Sequence, residues 1–283
     1  MDRRKFLQDA GLATAGISLG LGLTSAKPIK KFGIQLYTLR DVIAKDPKGV
    51  LNQLASFGYK QIESYSHHQL GIFWGMKNTE FKSYLDSLGI KMISSHYAWD
   101  TDTEKLAPQA AEIGMEYLIC PYLGKQKSID DYKRIADNFN KAGEVCKRNG
   151  LKFAYHNHGY SFEAMNGVFP QDVMMQACDP ALVDFEMDIY WVVTAGQDPE
   201  AWLKKYPNRW TLCHVKDRGK SFPANASDAS VTLGTGTINF PRILKTARKT
   251  GMKHYIVEQE RYDNTTSIQC AKDGAAYLKK LSI

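Results

Sequence analysis

Asn149-Gly150-Leu151-Lys152-Phe153-Ala154-Tyr155-His156-Asn157-His158 joins two kinds of chain. Before it runs Asp130–Arg148, an amphipathic stretch with helical spacing; after Gly150 an apolar run begins at once. Glycine just past a helix reaches the left-handed backbone that closes the last turn, so the chain can turn straight into a strand. The same join recurs at Phe57-Gly58-Tyr59, Leu88-Gly89-Ile90, Ile113-Gly114-Met115 and Thr250-Gly251-Met252. Helix–Gly–strand repeated along one chain predicts βα units around a parallel sheet.

Working outward from these joins, the predicted strands are Phe32–Leu39, Gln61–Tyr65, Lys91–His96, Tyr117–Pro121, Leu151–Asn157, Leu182–Ile189, Thr211–Lys216 and Lys253–Glu258. Helices are expected between them, among them Asp46–Ser56, Glu80–Ser87 and Phe240–Thr250, with a last one near Ile268–Leu281. Asp46 is placed to cap the first, with Pro47 opening it. Eight alternating units without a linker predict one (β/α)8 barrel over residues 27–283. No G-x-G-x-x-G follows the first strand, which removes the simplest open-sheet, dinucleotide-binding alternative.

Composition agrees with a globular core: 43% of the 283 residues are hydrophobic and 24% charged. The net charge of +7 is spread over single and paired Lys/Arg, so no basic run points to nucleic acid. Five cysteines without a C-x-x-C make neither a zinc framework nor a disulfide scaffold, and Cys120 and Cys213 fall inside apolar strands.

Residues 1–26 read as an address rather than as fold. Arg3-Arg4-Lys5-Phe6-Leu7 is followed by an uncharged Ala/Gly/Leu stretch and by Thr24-Ser25-Ala26, small residues suited to cleavage. The apolar stretch is too short and glycine-rich for a stable membrane span. It resembles a twin-arginine signal, which implies a periplasmic or otherwise exported protein, with the twin-arginine export machinery as a partner.

Ionisable residues gather where the strands finish, the end of a (β/α)8 barrel that carries active sites. The second strand ends in Glu63 and the third in His96; the fifth gives His156 and His158, followed by Glu163. The sixth gives Glu186 and Asp188, the seventh His214 and Lys216, and the eighth Glu258 and Glu260. Period-two alternation puts His156 with His158, Glu186 with Asp188, and Glu258 with Glu260. Several histidines and carboxylates on one rim are costly to desolvate unless a cation compensates. The mixed donors predict one divalent metal ion, Mn²⁺, Zn²⁺, Co²⁺ or Fe²⁺, rather than Ca²⁺.

Tyr155-His156-Asn157-His158, Met187-Asp188-Ile189-Tyr190-Trp191, His214-Val215-Lys216-Asp217, Gly234-Thr235-Gly236-Thr237-Ile238-Asn239-Phe240 and Val257-Glu258-Gln259-Glu260 together resemble the xylose-isomerase-like sugar phosphate isomerase/epimerase superfamily of TIM barrels. The resemblance runs from about Lys31 to the end and implies one metal ligand from each of strands five to eight. Carried over, these are Asp188, His214 and Glu258, with His158 preferred over His156 on the fifth strand, where many members place a glutamate.

A cation on a sugar's carbonyl and adjacent hydroxyl acidifies the neighbouring C–H, so a base can form a metal-held enediolate. The expected activity is that of a sugar isomerase or epimerase. A keto-glycoside lyase or hydrolase, or a sugar dehydratase, is the alternative on the same site. Candidate bases are His156, Glu260, Glu63 and His96; Glu163, Lys216 and Trp191 are expected to meet substrate, and Tyr97 and Trp99 to offer stacking faces. Export favours an unphosphorylated sugar or glycoside. Two other classes remain to be distinguished: an abasic-site endonuclease, which needs more metal ligands and a basic face, and a sugar-binding barrel without catalysis.

Overall fold

The computed structural model describes residues 28–223, 226 and 228–283; the segment read as a signal, 1–26, lies outside them. Eight parallel strands close into a barrel. They are β1 (Gly33–Gln35), β2 (Gln61–Tyr65), β3 (Lys91–His96), β4 (Tyr117–Cys120), β5 (Lys152–His156), β6 (Val183–Asp188), β7 (Trp210–Val215) and β8 (His254–Val257). Each pairs with the next in the chain, and β1 closes the ring on β8 with Gly33 beside Ile256 and Ile34 beside Val257. The predicted fold is the observed one.

Helices alternate with the strands: α1 (Pro47–Phe57), α2 (Asn78–Ser87), α3 (Thr103–Glu112), α4 (Ile129–Arg148), α5 (Pro170–Ala177), α6 (Ile189–Thr194), α7 (Pro199–Lys205), α8 (Phe240–Lys249) and α9 (Ser267–Lys280). Local chemistry sets their ends. Asp46 accepts from the Gly49 N–H at 2.9 Å to start α1, and Gly58 ends it at φ 95°. Ser128 and Asp131 cap α4 reciprocally, and Gly150, at φ 78°, releases the chain into β5. Within α4, Gly143 lets the helix lie against Leu182: a Cβ there would stand 2.8 Å from the Leu182 Cβ.

Two apolar clusters follow from closure. The large one lies between the barrel wall and the helices; a small one of Ile93, Tyr117, Ile119, Ala154, Leu212 and Ile256 fills the barrel itself. All five cysteines are buried and unbridged, Cys120 and Cys213 among them. Among the described residues no helix is long and apolar enough to cross a membrane.

Two boundaries differ from the sequence reading in ways that matter for the rim. β1 stops at Gln35, and Leu36–Leu39 turns into a 3₁₀ helix because the Gln35 side chain accepts from the Tyr37 N–H at 3.0 Å. β5 stops at His156. Asn157 then grips β6 through its side chain, accepting from the Asp188 N–H at 3.1 Å and donating to the Asp188 carbonyl at 3.3 Å.

Candidate active site and metal centre

Strand register brings the rim residues together. His156 lies beside Glu186 on the β5–β6 pair, and Asp188 beside His214 on the β6–β7 pair. His214 is the hub. Its Nδ1 meets Glu258 Oε2 at 3.1 Å, its Nε2 meets Glu63 Oε1 at 2.7 Å, and Glu186 Oε2 lies 3.3 Å from the same Nε2. His96 Nε2 and His156 Nδ1 each reach Glu186 Oε2 at 3.0 Å. Glu63 is fully enclosed: Gln35 donates to Oε1 at 2.8 Å and the Ser94 hydroxyl to Oε2 at 2.6 Å. Lys216, also buried, pairs with Glu258 and Glu260 and lies over the Tyr190 ring.

Burial and mutual charge set the protonation of this cluster. Burial, though opposed by Lys216, lifts the Asp188 carboxyl to about 7, and burial aided by Glu63 lifts Glu186 to about 7. For His96, burial works against the charged ring, but Glu63 and Glu186 outweigh it and raise the group to about 9. His214 is raised well above the usual histidine range, with Glu186 and Glu258 overriding burial. His156 goes the other way: burial, reinforced by His214 and His96, holds it well below that range. Burial opposes charge on Glu258 too, yet Lys216 and His214 keep it below the ordinary carboxylate range.

The donors fit a divalent cation. One ligand atom each from Asp188, His214 and Glu258 lies within 4.8 Å of the others, and a second group of His96, His156, Glu186 and His214 meets the same limit. Asp188 Oδ1 accepts from the Trp191 N–H at 3.2 Å and so caps α6, whereas its buried Oδ2 has no hydrogen-bond partner; nor has Glu186 Oε1. Buried carboxylate oxygens left this way are rare unless a cation or proton belongs there. His214 shows the orientation expected of a ligand, one nitrogen toward the carboxylates and the other on Glu63.

The model of the xylose isomerase-like TIM barrel family matches residues 51–281, most of the chain. This chain belongs to that family. A crystal structure described as a sugar phosphate isomerase/epimerase from Parabacteroides distasonis is 30% identical, with a TM-score of 0.78, and covers 89% of this chain and 98% of that one. The inosose dehydratase of Clostridium beijerinckii is 29% identical over 159 residues, 52% of this chain and 49% of that protein. The chain thus matches about half the length of this curated relative. A structure of an IOLI protein with a bound zinc atom shares the fold at 17% identity and a TM-score of 0.73, covering 88% of this chain and 97% of that one.

Within this family barrel, a cavity of about 520 Å³ opens over the cluster, with His96, His156, His158, Glu258 and Glu260 in its wall alongside Tyr37, Tyr65 and Tyr97. Asp188, His214 and Glu258 converge as the sequence reading expects. The fifth-strand histidine in a ligand-capable group is His156; His158 belongs to neither group. His158 does share the face of His156, as period-two spacing expects, since both line the cavity with their rings 5.1 Å apart; beyond the end of β5 its ring packs among Tyr122, Tyr160 and Trp191. Glu63, expected as a base, is sealed beneath the cluster rather than facing the cavity. Glu163 sits away from the cation donors, paired with Lys125 at 2.6 Å on the surface. Trp99 packs edge-on against Phe139 in the outer core, whereas Tyr97 does face the cavity.

Three participants lie outside the roles read from the sequence. Glu186 stands two residues before Asp188 with no task assigned to it; the structure puts its Oε2 at the meeting point of three histidines. Gln35 and Ser94 carry no charge to attract notice, and only barrel closure shows that both hold Glu63.

Proposed function

We propose that this chain is a divalent-metal-dependent sugar isomerase or epimerase that abstracts a proton next to a carbonyl. The observation that carries the reading is the convergence of Asp188, His214 and Glu258, with a partnerless carboxylate oxygen, beneath a cavity whose wall Glu258 shares with further proton-carrying groups. Bound there, the cation supplies Lewis-acid polarisation of the carbonyl and its neighbouring hydroxyl. Glu260, on the cavity wall beside Lys216, takes the proton from carbon. His156, kept neutral by burial with one nitrogen on Glu186, handles the second proton. Lys216 neutralises carboxylate charge and offers ammonium hydrogens to a developing enediolate oxygen. Glu63 holds the His214 ring in place. Tyr37, Tyr65 and Tyr97 exclude water and face the sugar ring.

Elimination is the second reading, favoured by the inosose dehydratase name of the Clostridium relative. The same proton abstraction followed by loss of a hydroxyl from the next carbon gives a dehydratase. The leader resemblance at residues 1–26 extends the proposal to an exported protein acting on an unphosphorylated sugar or glycoside. Signal-peptide cleavage and cell fractionation test that part: full-length protein retained in the cytoplasm refutes it.

Elemental analysis of the purified chain tests the centre. About one divalent ion per chain is expected, and Glu258→Gln is expected to remove both ion and turnover. Full turnover by the metal-stripped protein contradicts the proposal.

A further inference from the structure

A second cavity, about 600 Å³, adjoins the first. Tyr122 and His158 belong to the walls of both, and each cavity alone falls in the size range of a small-molecule site, on the order of 300–1,000 Å³. The partition between them is aromatic. His158 stacks on Tyr160 with centroids 5.7 Å apart, lies 5.3 Å from Trp191, and is met edge-on by Tyr122 at 5.1 Å. Tyr160 is fixed in turn, because its hydroxyl accepts from the Leu123 N–H at 2.9 Å. Tyr122 projects from this partition with 61% of its surface exposed, unusual for a large aromatic among the described residues.

The far side is polar. Lys125 and Glu163 form an ion pair in the wall of the second cavity, both more than half exposed. Aromatic faces with a rim of charged donors and acceptors suit a sugar ring, which offers C–H groups to the faces and hydroxyls to the rim. A purely apolar group would leave the Lys125–Glu163 rim unused.

We propose that the two cavities form one cleft for a disaccharide: the reacting sugar sits over the Asp188–His214–Glu258 centre, and the second sugar ring sits against Trp191, Tyr160 and Tyr122. This rests on the sugar reading of the first cavity and adds the size of the substrate. His158, in the wall of both cavities, then lies beside the bond that joins the two rings, which gives a use to the histidine that the cation groups leave out.

The test is calorimetric binding to the metal-loaded full chain, with glucose, cellobiose, maltose and p-nitrophenyl glucoside as probes. One of the two disaccharides is expected to bind about tenfold more tightly than glucose or better. Trp191→Leu is expected to remove that advantage, as is Thr194→Trp, which fills the second cavity; if one variant does not fold, the other decides. Equal affinity for glucose and both disaccharides overturns the proposal, and so does a disaccharide advantage that both folded variants keep. A gain confined to p-nitrophenyl glucoside overturns the second sugar ring in favour of an aryl group. Binding needs no turnover, so a chain that prefers disaccharide yet exchanges no sugar proton keeps the cleft and loses the isomerase reading. A chain that turns over single-ring sugars without preferring disaccharides does the reverse.

Discussion

Replacing Glu63 by glutamine isolates the charge beneath the proposed cation. The two side chains have nearly the same shape, so the introduced amide can still accept from Gln35 and from the His214 Nε2–H, while Ser94 can reverse its hydroxyl. What disappears is the charge on a buried bond of 2.7 Å, with both partners fully enclosed. A charge-assisted bond contributes about 1.5–3 kcal/mol and a neutral one about 1, so the charge contributes roughly 1–2 kcal/mol. A carboxylate behind a ligand histidine contributes roughly 10–100-fold in metal affinity, and at about 1.4 kcal/mol per tenfold the two estimates overlap. Proton competition sets the conditions of the measurement. Burial opposes a charged His214, but its carboxylate neighbours, Glu63 among them, raise it well above the usual range, so the same carboxylate also strengthens proton binding. At low pH the two effects of the substitution offset each other; the more alkaline the solution, the less proton competition masks the metal effect. Titration of metal-free protein with Mn²⁺ against a fluorescent chelator is therefore expected to show E63Q weaker by about 10–100-fold at about pH 8.5, with the gap narrowing toward about pH 6. A folded E63Q protein that binds Mn²⁺ within about twofold of the parent at about pH 8.5 refutes the assignment of Glu63 as the group that orients His214.

Metal binding itself is expected to strengthen about fivefold from about pH 6 to 7 through Asp188 alone, because that carboxyl, pushed up to about 7 by burial, must lose its proton to ligate; an affinity flat over that range contradicts a ligand role for Asp188. His156→Gln is expected to lower kcat by about 10²–10⁴-fold with the ion retained, and His158→Gln to retain both ion and fold. Elemental analysis of the two variants decides the point, and loss of the ion from H158Q restores the fifth-strand ligand read from the sequence. Asp217 accepts the N–H groups of Arg218, Gly234, Gly236 and Ile238 at 2.8–3.2 Å and is buried, so Asp217→Ala is expected to cost about 3 kcal/mol, or roughly 5–10 °C in Tm. An unchanged melting curve would mean that the Gly234–Phe240 loop is held by something else.

The barrel is legible in the sequence because its signals are local. A glycine that ends α1 or α4 and an apolar run that begins β2 or β5 need only a few residues to declare themselves. Where the pattern misleads, a side chain competes with it. Leu36–Leu39 is apolar enough for a strand, yet the Gln35 amide oxygen captures the Tyr37 N–H and bends the chain into a 3₁₀ turn. His158 shares the cavity face of His156, as its spacing says, but Asn157 ends the strand by clasping Asp188, and the ring beyond it packs among aromatics that the spacing does not reveal. Asp188, His214 and Glu258 stand out because each is an ionisable residue at the end of an apolar strand. Glu63 stands out for the same reason, but it is sealed beneath the cluster instead of facing the cavity. Its enclosure by Gln35, Ser94, His96 and His214 exists only once three other strands have closed around it. The second cavity has no sequence signal beyond His158, Trp191 and Glu163, because its wall draws on the segments following β4, β5, β6 and β7.

Proton exchange at carbon is the decisive measurement. Metal-loaded protein in heavy water, incubated with a panel of aldoses, ketoses and 3-keto-glycosides and followed by NMR, is predicted to place deuterium at one carbon next to the carbonyl of at least one of them. E258Q is predicted to place none. No exchange in any sugar by a fully metallated chain, or exchange that survives in E258Q, contradicts the claim that this barrel works by metal-assisted proton abstraction.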